Sequence, residues 1–85
     1  MMAIDIEAIA NERARHPDES RDELVARYTE AALYSLYTTR QKISADKLIH
    51  IAGNLVGYVE AHSGLVPAQT RHQFEADCTA DRLPW

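Results

Sequence analysis

The sequence predicts an all-α fold, a small three-helix bundle with a shorter fourth C-terminal helix, in a single domain over residues 1–85. Three observations carry this prediction. Apolar residues recur at three- and four-residue spacing in three successive segments, which is the period of a helix and not of a strand. Residues that favour helix starts stand before each segment, at Asp5, Ser20 and Ser44. Pro17, Gly64 and Pro67 then punctuate the chain where those segments should end or restart. The helices are expected at about 5–16, 21–41, 45–63 and 67–78, with an irregular tail over 79–85.

The first helix starts at Asp5, whose carboxylate can accept from the free N–H groups of the first turn, with Glu7 favoured by the helix dipole. Ile4 and Ile9 have the spacing of a hydrophobic staple, and Ile6, Ile9, Ala10 and Ala14 make a short apolar stripe. Pro17 ends the helix at His16.

Ser20-Arg21-Asp22-Glu23 is a capping box in which Ser20 and Glu23 can each satisfy the other's backbone N–H. The second helix then presents Leu24, Val25, Tyr28, Ala31, Ala32 and Leu36 on one face. Leu33, Tyr34 and Tyr37 point away from that stripe, so this helix has more apolar surface than one contact requires.

The third helix is the most informative. Ser44 caps it, and Ile43 with Leu48 repeats the staple spacing. At about 100° per residue, Leu48, Ile51, Ala52, Leu55, Val56 and Val59 form a broad apolar face with Tyr58 at its edge. Gly53, Gly57 and Ala61 recur at four-residue spacing on the other side, with His50 beside them. Glycine inside a helix costs roughly 0.5–1 kcal/mol relative to Ala, so two of them predict a close approach by something else. Gly64 is expected to end this helix in a left-handed conformation with Leu65 folding back. Pro67 suits the first turn of the fourth helix, whose expected core contacts are Ala68, Phe74 and Cys78. Short connections around Pro17 and Lys42 favour antiparallel neighbours.

Composition excludes several classes of function. A formal charge of −4 argues against broad attraction to nucleic acid or anionic membrane. A lone Cys78 permits no intramolecular disulfide and fits a reducing compartment. No basic, apolar leader opens the sequence and no apolar run reaches the roughly 18 residues of a membrane span, so a cytoplasmic location is expected.

Candidate chemistry is sparse. His16, His50, His62 and His72 contain no pair spaced to place two imidazoles on one helix face, and zinc needs three or four converging ligands. Asp18, Glu19, Asp22 and Glu23 surround a helix start, where charge complements the dipole. Ser35, Ser44 and Ser63 lack a nucleophile-elbow setting, and no phosphate-cradling Gly-rich loop is present. The acidic helical profile brings acyl carrier proteins to mind, but their Asp-Ser-Leu signature is absent. No catalytic residue, metal site or cofactor is therefore expected.

The segment Ile51-Ala52-Gly53-Asn54-Leu55-Val56-Gly57-Tyr58-Val59-Glu60 resembles the turn and following apolar positions of helix-turn-helix motifs, which would imply a small DNA-binding regulator. A recognition helix needs groups for bases and phosphates, yet no Lys or Arg lies between Lys47 and Arg71. The sequence instead reads as a non-enzymatic protein–protein interaction module, a small regulator or inhibitor that covers a surface of a macromolecular partner. In kind it resembles the short, acidic, motif-free accessory proteins of phages and other mobile elements. The residues expected at a partner or homodimer interface are Leu33, Tyr34, Tyr37, His50, Gly53, Gly57, Ala61 and Trp85. Tyrosine and tryptophan are enriched in interface hot spots, and the small residues allow a second helix to approach. A homodimer is expected, since two-fold dimers are the commonest oligomers.

Overall fold

Three of the four helices begin where a side-chain oxygen meets an unsatisfied backbone N–H. In a computed structural model that describes residues 5–40 and 42–82, the Asp5 carboxylate accepts from Glu7 N at 2.8 Å and opens α1 (Ile6–Arg15). Ser20 Oγ accepts from Glu23 N at 3.2 Å and opens α2 (Arg21–Thr39), and Ser44 Oγ accepts from Lys47 N at 3.2 Å and opens α3 (Ala45–Ala61). At α4 (Pro67–Thr79) the direction is reversed, and Gln69 Oε1 accepts from Val66 N at 3.3 Å. Among the described residues there is no strand. Ile4, half of the first expected staple, lies outside the described residues.

Packing follows the breadth of each apolar face. α3 contributes Leu48, Ala52, Leu55, Val56, Tyr58 and Val59 to the buried core, as many residues as α1 and α2 contribute together. α2 packs against α3 with Leu24, Ala32 and Leu36 inward, while α1 packs with Ile6, Ile9 and Ala10 against both α3 and α4. The molecule measures 34 × 32 × 19 Å, about two helix diameters thick. Polar side chains tie α1 to α2: the Tyr28 hydroxyl donates to Ala8 O, and Arg27 bridges Glu12 and Glu19. Arg13 extends the network to α3, with its Nε 2.9 Å from Glu60 Oε1.

Several boundaries and faces differ from the sequence expectation. α2 stops at Thr39 and does not run on to Gln41, which lies outside the described residues. Arg40 closes it with φ of 58°, in the left-handed region, so that its N–H reaches the carbonyls of Leu36 and Tyr37. Thr38 and Thr39 precede this stop, and both hydroxyls donate to Ser35 O, a competition that weakens a helix end.

α3 ends two residues earlier than expected, and Gly64 does not adopt positive φ. His62 makes a left-handed glycine unnecessary. Its N–H and its Nδ1 both lie within hydrogen-bond distance of Tyr58 O, at 3.1 and 3.0 Å, and its ring stacks on the Tyr58 ring at 4.2 Å. Leu65 stays partly exposed.

α4 is longer than α1, 13 residues against 10, and it packs chiefly along α1. Ala68 and Cys78 are exposed, and the inward positions are Thr70, Phe74 and Asp77. These share one face at helical spacing. Thr70 is buried because its hydroxyl donates to Val66 O at 3.2 Å, and Thr29 in α2 uses Val25 O in the same way at 2.7 Å. Ala14 and Ala31, expected on the core stripes, are exposed. The expected tail over 79–85 is ordered in its first part. Asp81 has φ of 55°, and the bonds Arg82 N to Asp77 O and Asp81 N to Cys78 O form a Schellman terminator.

Leu36 in α2 and Leu55 in α3 are both buried in the core. Leu36→Ala and Leu55→Ala should each cost about 2–5 kcal/mol in denaturant unfolding. A loss below about 1 kcal/mol would place these side chains outside the core. Arg40→Gly should raise stability by roughly 0.5–1 kcal/mol, because Gly carries no Cβ penalty in the left-handed region. A loss of stability in that variant would contradict the assigned helix end.

Candidate interaction surfaces

The antiparallel run of α2 and α3 sets the geometry of the main exposed face. Arg21 at the start of α2 reaches Gly53 at the middle of α3, whereas Leu33, farther along α2, and Ile49, earlier in α3, line one groove. Between the two helices lies an open groove of about 410 Å³ lined by Val25, Ala26, Thr29, Leu33 and Ile49, with Asp22 and Glu30 at its edge. Leu33 is 39 % and Ile49 48 % exposed. Tyr34 and Tyr37 follow Glu30 and Leu33 by one helical turn, so they continue the same side of α2. They are 72 % and 84 % exposed, which excludes a core role for either ring in this chain.

The small-residue side of α3 is occupied from within the chain. The Arg21 guanidinium lies across it, donating from Nη2 to Gly53 O at 2.8 Å. A Cβ built on Gly57 would meet the same nitrogen at 3.4 Å, and one on Gly53 would meet it at 4.0 Å, both ordinary contact distances. What lies over the glycines within the chain is thus a side chain of α2, at a distance that does not itself require glycine. Beyond Arg21 the surface opens into a cleft of about 420 Å³ that also takes in Asn54, Ala61, Asp77 and Arg82.

At the floor of this cleft, the Tyr58 hydroxyl donates to Asp77 Oδ2 at 2.6 Å and joins α3 to α4. Gln73 Nε2 donates to the other Asp77 oxygen at 3.0 Å, and Arg82 Nη2 is 3.0 Å from it. The hydrogen bond from Tyr58, followed by Gln73 and Arg82, holds the Asp77 carboxyl below the usual carboxylate range. Burial, reinforced by the bond to Asp77, pushes the Tyr58 hydroxyl well above the usual tyrosine range. Phe74 meets Tyr58 edge-on at 5.2 Å and completes the α3–α4 contact. Tyr28 is likewise raised by burial and then by the Glu12 charge.

The residues expected at one interface fall on two surfaces. Leu33, Tyr34 and Tyr37 belong to the α2 side, while Gly53, Gly57 and Ala61 line the Arg21 cleft. His50 is exposed, and its Nε2 lies 3.3 Å from Asn54 Nδ2. Trp85 lies outside the described residues. Sequence reasoning missed Ile49, Arg21 and the Tyr58–Asp77 pair. Ile49 sits about 100° off the main stripe, and its isolation on that side was a visible signal. Arg21 stands in the first turn of α2, where the dipole disfavours a cation, and that mismatch pointed to a partner elsewhere. Glu19, read as part of a capping cluster, instead pairs with Arg27. Among the described residues no three His, Cys, Asp or Glu side chains converge as a metal-sized group, and no helix is long and apolar enough to cross a membrane.

The Asp77 shift fixes a sign for pH dependence. A carboxyl held below its unfolded value of about 3.9 contributes stability that is complete above that value and is lost as pH falls through the folded value. Acid unfolding of the native chain should therefore steepen below about pH 4, and Asp77→Asn should flatten this limb. Superimposable pH–stability curves for the two proteins would show that the pair does not couple α3 to α4.

Comparison with protein-family models, with curated proteins and with solved structures finds no match in any of the three.

Proposed function

We propose that the chain is a non-enzymatic protein–protein interaction module, a small cytoplasmic regulator or inhibitor that acts by covering a surface of a macromolecular partner. As a scaffold we read the helices as a bundle in which α1, α2 and α3 form the core and α4 braces α1. The observation that carries the functional reading is the exposure of Leu33, Tyr34, Tyr37 and Ile49 on one side of the α2–α3 pair. Large apolar and aromatic side chains collected on one face favour a partner, whereas scattered ones do not. Tyrosine suits this use because its ring brings contact area at low entropic cost and its hydroxyl tolerates water in the free state.

A homodimer through the Gly53–Gly57–Ala61 side is a second reading. The cleft there leaves ordinary contact room above both glycines. Close helix approach on that side requires Arg21 to leave Gly53 O.

The test compares the native chain with Tyr34→Ala and Tyr37→Ala. Both substitutions should leave stability within about 0.5 kcal/mol, as surface changes do. Capture of the partner from a native lysate should weaken by about thirtyfold or more, corresponding to a hot-spot loss of about 2 kcal/mol. Unchanged capture by both variants, or their unfolding, would refute this use of the face.

A further inference from the structure

Building on the interaction-module reading, we infer that the α2–α3 groove receives a basic amphipathic helix of a partner protein. The groove has an apolar floor, made by Val25, Ala26, Leu33 and Ile49, and an acidic edge, made by Asp22 and Glu30. No Lys or Arg is among its lining residues. Elsewhere Glu7, Glu12, Glu19, Glu60, Glu75 and Asp77 all have a cationic partner within the chain. Asp22 and Glu30 form no ion pair among the described residues, and neither does Asp46, which precedes Ile49 by three residues on the same side of α3. Of the described carboxylates without an ion pair, Asp22 and Glu30 line the apolar groove and Asp46 lies one turn from Ile49, whereas Asp5, Asp18, Glu23 and Asp81 lie outside its lining.

The shape selects a helix as occupant. The groove runs between two antiparallel helices whose backbone groups are already paired, so it has no free edge to which a strand could add. From Asp22 to Leu33 the floor spans about 16 Å of helix rise, which three turns of a partner helix match. Such a helix would set apolar residues at i, i+3 or i+4 and i+7 into the floor, and Lys or Arg on its flanks would meet the carboxylates. A second copy docked by two-fold symmetry fits less well. An isologous contact sets this patch against its own copy, and the patch holds carboxylates but no cation to meet them.

The probe is a labelled 18-residue synthetic helix with a leucine stripe and Lys/Arg flanks, set against an isomer with the same stripe and Glu flanks. In fluorescence anisotropy at low salt, the basic peptide should bind at least about tenfold more tightly than the acidic one, and added salt should weaken it. Asp22→Asn with Glu30→Gln should reduce that preference by about fivefold or more, and Asp22→Lys with Glu30→Lys should reverse it. Ile49→Asp should abolish binding of the basic peptide while circular dichroism stays helical. Equal binding of both peptides, or a preference indifferent to Asp22 and Glu30, overturns the inference. So does a homodimer, found by sedimentation, that Ile49→Asp dissociates. A lysate partner whose capture needs Tyr34 and Tyr37 but ignores the carboxylates would leave the interaction-module reading standing and remove only this one.

Discussion

Burial of the broad apolar face of α3 is the constraint on which the rest of the structure depends. Leu48, Ala52, Leu55, Val56, Val59 and, at the edge, Tyr58 cover nearly half the circumference of one helix, too wide a surface for a single neighbour to cover. α2 takes one part and α1 the other, while α4 reaches α3 through Phe74 and the Tyr58–Asp77 bond. Each of the other helices can then be narrow. α1 needs three buried apolar residues, and α4 needs no continuous apolar stripe at all.

That economy leaves surface over. Because α2 meets α3 along a single stripe, the rest of its surface is free to carry Leu33, Tyr34 and Tyr37, and the adjoining turn of α3 adds Ile49. An 85-residue chain has little stability in reserve, so apolar groups held in water are more readily explained by an occupant than by folding. The placement of charge agrees with this view. Glu7, Glu12 and Asp77 are engaged with arginines, while Asp22 and Glu30 in the groove lining have no ion pair among the described residues.

The helices, their caps and the α3 core face were legible in the sequence because capping and 3.6-residue periodicity are local properties. Asp5, Ser20 and Ser44 act as cap acceptors, and Leu36 and Leu55 lie at the core as their spacing indicated. Features that depend on a distant residue were not legible. Gly53 and Gly57 suggested close approach, but nothing near them named Arg21, which arrives from 32 residues away. The inward face of α4 was misread because hydrophobicity favoured Ala68 and Cys78 over Thr70 and Asp77. Those two polar residues are suited to the interior only through Val66 O and the Tyr58 hydroxyl. Gly64 was misread for a similar reason, since the His62–Tyr58 stack relieves it of the terminating role.

The central claim is that the Leu33–Ile49 face is open to solvent in the folded chain while the α3 stripe is closed. Paramagnetic relaxation of methyl resonances by a soluble, uncharged probe tests it directly in the native protein at low concentration. The account predicts strong broadening of the Leu33 and Ile49 methyl signals and none for Leu55 and Val56. Equal protection of all four would contradict it, because the face would then be covered within the chain or by a second copy of it.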